Sequence, residues 1–134
     1  MRDQNVERRA VKQVFEIFRR NLQLMAAKPT VDEAQLALEW TATGDWLALD
    51  DLSVQQAEAQ RYNKRVKECV AYFLSAQEAK IIKQSYMSVS YSLPWQIYEP
   101  MHIERTTYYA LKAKAIGKLY IAFRLQRLLQ KSAD

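Results

Sequence analysis

At 134 residues and 49% hydrophobic side chains, the chain can bury a core as one domain or as two small helical subdomains. Only 2 Gly and 3 Pro favour long helices over a turn-rich β fold. A formal net charge of +5 and a pI near 9.3 suit a polyanionic partner, and no apolar run reaches the roughly 18 residues of a membrane span.

A first helix is predicted over residues 5–27. Val11, Val14, Phe15, Phe18, Leu22 and Met25 form one apolar stripe. Arg8, Arg9, Lys12, Arg19 and Arg20 lie off it. A solvated helix face is preferred for these cations over contact with phosphates. Pro29 ends the helix, and Thr30-Val-Asp-Glu33 is a capping box opening a second helix over 31–42, with Leu36 and Trp40 inward. Gly44 breaks it. Trp46, Leu47 and Leu49 follow in an acidic setting, either as a partner-protein surface or, preferably, tucked onto the core. Ser53-Val-Gln-Gln56 is a second capping box, starting a helix to about Phe73 with Tyr62, Val66, Cys69, Val70 and Phe73 inward. Ser75-Ala-Gln-Glu78 is a third, with Leu74 and Ala79 as a possible staple. Its helix carries Ala79, Ile82 and Tyr86 inward and Ile81 on a flank. Residues 88–92 form a loop.

Residues 92–119 organise the rest. Pro94 suits the first turn of a short helix, because its missing N–H is no loss there. Ile97 and Met101 face inward. Pro100 disfavours helical geometry at Glu99, so the short helix stops there. Ile103 plugs the gap, and Glu104 opens a long helix at the positive end of its dipole. Tyr108, Leu111, Ala115 and Leu119 are the inner face of that helix. Thr106, Tyr109, Ala110, Ala113 and Gly117 make a small outer face, flanked by Arg105, Lys112, Lys114 and Lys118. Major-groove docking asks for such a face, and an amphipathic surface helix with solvated lysines is the competing reading. Beyond Leu119 the apolar residues change face. Ile121, Leu125 and Leu128 leave the stripe, and Phe123 and Leu129 lie on other sides again. Cover from the N-terminal helices or from a second copy of the chain is expected.

Charge is unevenly placed. Residues 29–60 hold seven acidic and no basic groups, whereas residues 101–134 hold seven basic and two acidic groups. The acidic block is expected to face away from any polyanion, as a solvated linker would also do. Cys69 stands alone, so no intramolecular disulfide forms, and its spacing makes it core filler. No secretory segment follows the charged N-terminus, which suits a cytoplasmic chain. An enzyme is not expected. The single His102 lies in the turn without a nucleophile or orienting acid near it in sequence, Asp50 and Asp51 are adjacent and point apart, and no metal-spaced cluster occurs. No catalytic residue, metal ligand or cofactor is assigned.

Two resemblances follow from these residues. Residues 74–119 resemble the fourth region of bacterial housekeeping sigma factors, a promoter-binding helix-turn-helix unit, through Glu78-Ala-Lys-Ile-Ile82, Met101-His-Ile103, Arg105 and Ala113-Lys-Ala-Ile-Gly-Lys-Leu119. The longer resemblance is to the ArpU/RinA-like family of phage late transcription regulators. Ile103-Glu-Arg-Thr-Thr-Tyr-Tyr-Ala-Leu-Lys-Ala-Lys-Ala-Ile-Gly-Lys-Leu119 carries it, with Val14-Phe-Glu-Ile-Phe-Arg19 and Tyr62 to Tyr86 similar to earlier family helices. The chain departs from the family at Glu104, usually Ser, and at Ala110, usually Arg. The sigma factors carry basic and amide side chains where Tyr109 and Ala110 stand, so promoter preference does not carry over.

The resemblance implies an all-α fold: a helical N-terminal region, residues 1–73, for packing or partner binding, and a helix-turn-helix DNA-binding domain with a long last helix, residues 74–134. It implies a phage late-gene activator or antiterminator working on double-stranded DNA with host RNA polymerase, nucleoid-associated in the host cytoplasm, with a homodimer among the states it allows and no membrane partner. Arg105 would bond a guanine edge bidentately. Thr106 and Tyr109 would reach bases or thymine methyls, with Thr107 beside them. Lys112, Lys114 and Lys118 would contact phosphates, and Ser92 and Gln96 would anchor the backbone. A small terminase-like packaging protein, recognised as a ring of many copies, and a protein-only polymerase adaptor are the alternatives.

Overall fold

The structure, a computed structural model of the chain, describes residues 4–26, 47–88, 90 and 92–129, with the backbone alone for 47–53. Helix α1 spans Gln4–Ala26 and α2 spans Leu47–Phe73. Helix α3, Ala76–Ile82, runs on into a π-helical turn at Lys83–Met87, and α4, Pro94–Tyr98, precedes α5, Arg105–Leu125. The protein is all-α among the described residues. The capping box at Thr30, the helix expected over 31–42, the break at Gly44 and the Trp46 segment lie outside them, as do the side chains of Leu47, Leu49 and Ser53.

The stripe of α1 is buried as its spacing predicts. Val11, Val14, Phe15 and Phe18 are almost wholly inaccessible. They meet Val66, Cys69 and Val70 of α2 and Ala115, Ile116, Leu119, Ala122 and Phe123 of α5 in one core. That core takes residues from both sides of position 73, so α1 and α5 are packed directly together. Phe15 sits at its centre. Its ring stacks on Tyr86 at 5.2 Å and meets Phe123 edge-on at 5.6 Å, joining α1, the π-turn and α5. Truncating such a residue to Ala costs about 3–5 kcal/mol through lost contacts and the cavity left behind.

Helices α1 and α2 run antiparallel. Buried Asn63 donates from Nδ2 to the Phe18 carbonyl at 3.1 Å, its Oδ1 accepts from Asn21 at 3.1 Å, and Gln56 Nε2 donates to the Leu24 carbonyl at 3.0 Å. Helix α2 begins at Leu47, so the backbone is already helical when it reaches Ser53, and Ser53-Val-Gln-Gln56 does not mark its start. Gln56 instead serves a carbonyl in the last turn of α1, where helix ends leave carbonyls without internal donors. Phe73 is 42% exposed rather than inward. The helix ends on it, and Leu74 packs against the core in its place.

The capping box at Ser75 forms. Glu78 N–H donates to Ser75 Oγ at 3.2 Å, and Ser75 N–H donates to Glu78 Oε1 at 2.9 Å. Leu74 and Ala79 both pack on the core beneath it. Ile81, expected on a flank, is fully buried. Ile82 faces the main core, while Ile81 joins Ile97 and Tyr108 in a second cluster closed by Tyr98, Met101, Ile103 and Leu111. Helix α3 is covered on two sides, and a single-stripe reading assigns only one of them.

Local chemistry sets the approach to α5. Pro94 occupies the first turn of α4, and the Leu93 N–H donates to Gln96 Oε1 at 2.8 Å. Beyond α4, His102 adopts φ 57, the left-handed region. Its N–H donates to the Glu99 carbonyl at 3.0 Å, and the Ile103 N–H donates to the Tyr98 carbonyl at 3.3 Å. That pair of bonds is a Schellman turn, and Ile103 lands back on Tyr98 as such turns favour. Glu104 is the N-cap of α5 with no side-chain cap bond. At the other end Arg127, also at φ 57, repeats the motif, with its N–H bonded to the Arg124 carbonyl and the Leu128 N–H bonded to the Phe123 carbonyl. This returns Leu128 to the core. Phe123, expected away from the stripe, is fully buried because α1 covers that side of α5, whereas Ile121 and Leu125 are exposed.

Candidate nucleic-acid interface

The first half of α5 presents the residues that the sequence singles out. Arg105, Thr106, Thr107, Tyr109, Ala110, Ala113 and Lys114 are all exposed, while Tyr108 anchors the helix from beneath. Arg105 lies over the Tyr109 ring at 5.7 Å, and Tyr109 meets Tyr108 edge-on at 5.0 Å. The exposed guanidinium is thus steadied by a ring that is itself held by a buried one. A steadied guanidinium loses less freedom on forming paired hydrogen bonds.

Lys112 occupies a different setting. It is half-buried, with its ammonium over the Tyr86 ring at 5.2 Å and the Tyr108 ring at 5.7 Å. Burial lowers its pKa from the usual lysine value, and the nearby charges of Arg8 and Lys12 lower it further. These two residues belong to α1, whose cations the sequence reading left as a solvated face. They line one groove with Arg9, Arg19, Ser92, Tyr86 and Lys112, and no carboxylate lines it among the described residues. Arg19 is engaged elsewhere. Its Nε donates to the Tyr86 carbonyl at 2.8 Å and its Nη2 to the Ser85 carbonyl at 3.1 Å, tying α1 to the end of the π-turn. The sequence held a signal for this cluster. Arg8, Lys12 and Arg19 recur at helical spacing beside the apolar stripe of α1, but their proximity to Lys112 comes only from packing.

The remaining predicted contacts divide. Ser92 lines the basic groove. Gln96 is exposed on α4, with its amide oxygen taken by the Leu93 N–H. Lys114 and Thr107 are exposed along the edge of α5 that leads to Lys118. Lys118 itself is taken up inside the fold, donating to Glu78 Oε1 at 2.7 Å. Glu78 is 1% exposed, and its Oε2 has no partner among the described residues. Burial raises the Glu78 pKa, but the bonds from Lys118 and Ser75 outweigh it and hold the carboxyl below its usual value. Lys118 therefore pins α5 to α3. The small outer face is also only half open, because Gln4, Asn5 and Arg8 of α1 share a depression with Ala113 and Gly117. The open part is the N-terminal part, where recognition helices meet base edges.

Little else points to chemistry. Among the described residues no three His, Cys, Asp or Glu side chains gather as a metal site needs. Cys69 is buried, and burial together with the Glu68 charge pushes its thiol up, away from the reactive thiolate. No helix among the described residues is long and apolar enough to cross a membrane. No family model matches the chain, and neither the curated proteins nor the solved structures hold a match to it.

Proposed function

We propose that the chain is a sequence-specific DNA-binding regulator of phage late transcription that acts with host RNA polymerase. One observation carries the DNA-binding part. The exposed edge Arg105–Thr106–Tyr109 continues into a basic groove that no carboxylate lines among the described residues. Arg105 then reads a guanine edge, Thr106 and Tyr109 meet neighbouring bases, and Lys112 and Lys114 meet phosphates. The phage and polymerase parts rest on the resemblance of residues 103–119 to the late-regulator family. The test is selection of bound fragments from a phage genome, by the native chain and by Arg105→Ala. The native chain is expected to enrich fragments sharing one short site. The variant is expected to bind about 1–3 kcal/mol more weakly and to relax preference at one position. Failure to enrich any fragment, even at low salt where phosphate attraction is strongest, would overturn the proposal.

A further inference from the structure

We infer that the groove between α1 and α5 receives the sugar-phosphate backbone of the duplex whose bases meet Arg105, with Arg8, Lys12 and Lys112 as its phosphate contacts. This rests on the DNA-binding reading and extends it to the N-terminal helix.

Three observations lead there. First, Arg8, Arg9, Lys12 and Lys112 gather around one groove with no acidic side chain in its described wall, while buried Glu7 lines the neighbouring depression that Arg8 and Lys112 also border. Like charges held together repel one another, and a bound anion relieves that repulsion. Second, the groove is built rather than incidental. Lys112 is held against two tyrosine rings, and Arg19 fixes the backbone of the π-turn that carries Tyr86. The Ser92 hydroxyl adds a neutral donor to the wall. Third, the spacing fits a duplex. Lys112 follows Arg105 by seven residues, about 10 Å at the helical rise of 1.5 Å per residue. Seven residues is close to two turns, so Arg105 and Lys112 share one side of α5, and a duplex whose base edges meet Arg105 has its backbone within a groove width, about 12 Å, of Lys112. Arg8 and Lys12 lie on that side of α5.

The test uses the full chain and a fluorescein-labelled mixed-sequence duplex, titrated by anisotropy between about 50 and 200 mM salt. Each lost phosphate contact lowers the magnitude of the slope of log affinity against log salt by about 0.9. Arg8→Gln/Lys12→Gln is expected to lower it by about 1.8, and Lys12→Gln alone by about 0.9. The site preference set by Arg105 should survive in both. Lys64→Gln/Lys67→Gln removes the same charge from the exposed face of α2 and is expected to keep the native slope. A native chain that binds while Arg8→Gln/Lys12→Gln and Lys12→Gln keep its slope overturns the groove assignment and leaves the DNA-binding reading standing. An equal loss in the α2 variant also overturns it, since charge would then act without regard to place. Arg8-dependent binding that is tighter to single-stranded RNA than to duplex overturns the duplex assignment. Absence of any native binding at the lowest salt overturns both readings together.

Discussion

Replacing Lys118 with Met tests whether that lysine serves the fold. The substitution keeps most of the aliphatic stem and removes the ammonium that bonds Glu78 Oε1 at 2.7 Å. Glu78 stays almost wholly buried, with the Ser75 N–H on Oε1 and no described partner on Oε2. Removing one member of a buried charge pair costs about 2–5 kcal/mol, much of it from the charge left behind. The Lys118 side chain keeps 37% exposure, so water screens the site and the lower half of that range applies. At this chain length each kcal/mol shifts the melting midpoint by about 3–5 °C, so a fall of roughly 10 °C is expected. Thermal melts followed by circular dichroism at two pH values provide the assay. In the native chain the Glu78 pKa is held below its usual value, so its stabilisation is complete above the unfolded value and is lost as pH falls through the folded one. Without Lys118, burial pushes that carboxyl up and it protonates readily. The deficit of the variant should therefore be largest at neutral pH and shrink as pH approaches 4. A variant melting with the native chain at pH 7 would refute the assignment.

Three further outcomes follow from particular residues. Glu104→Ser places a hydroxyl at an N-cap that has no side-chain bond, and should raise stability by about 1 kcal/mol in denaturant titrations. It also removes a negative charge beside Arg105, so duplex binding should tighten at low salt and the gain should fade as salt is added. Tyr62 has a hydroxyl without a partner among the described residues, and burial pushes its pKa up to about 12. Tyr62→Phe removes the unpaired group and should leave stability unchanged or raise it by about 1 kcal/mol, whereas a clear loss would mean the hydroxyl is bonded. His102→Gly relieves a left-handed backbone and should raise the melting midpoint, whereas His102→Val, β-branched at φ 57, should lower it.

Much of the fold was legible because local chemistry and packing agree. The α1 stripe, the Ser75 capping box and Pro94 at a helix start each follow from a few neighbouring residues. Pro100 does not move Glu99 out of helical geometry as its position suggests: Glu99 keeps φ −62 and ψ −50, and the chain turns instead at left-handed His102. The exposure of Thr106 and Tyr109 was legible too, since Tyr108 and Leu111 leave the opposite side of α5 outward. What escaped depends on residues distant in sequence. Lys118 reads as one more flanking lysine until Glu78, 40 positions earlier, is placed beside it. Ile81 escaped because α3 is covered from two directions, whereas periodicity reports one; the cover expected over Phe123 comes from α1, one of the two sources its position allowed. Arg8 and Lys12 fit a solvated face equally well until α1 packs against α5.

The account depends on the N-terminal outer side of α5 entering a duplex groove, and photo-crosslinking tests this most directly. A photoreactive benzophenone amino acid in place of Thr106, exposed on that side, is compared with the same group at Tyr72, 82% exposed near the end of α2. With a selected duplex bound, the Thr106 position should crosslink to bases of the site and the Tyr72 position should not. Binding that leaves Thr106 uncrosslinked while Tyr72 labels the DNA would contradict the account.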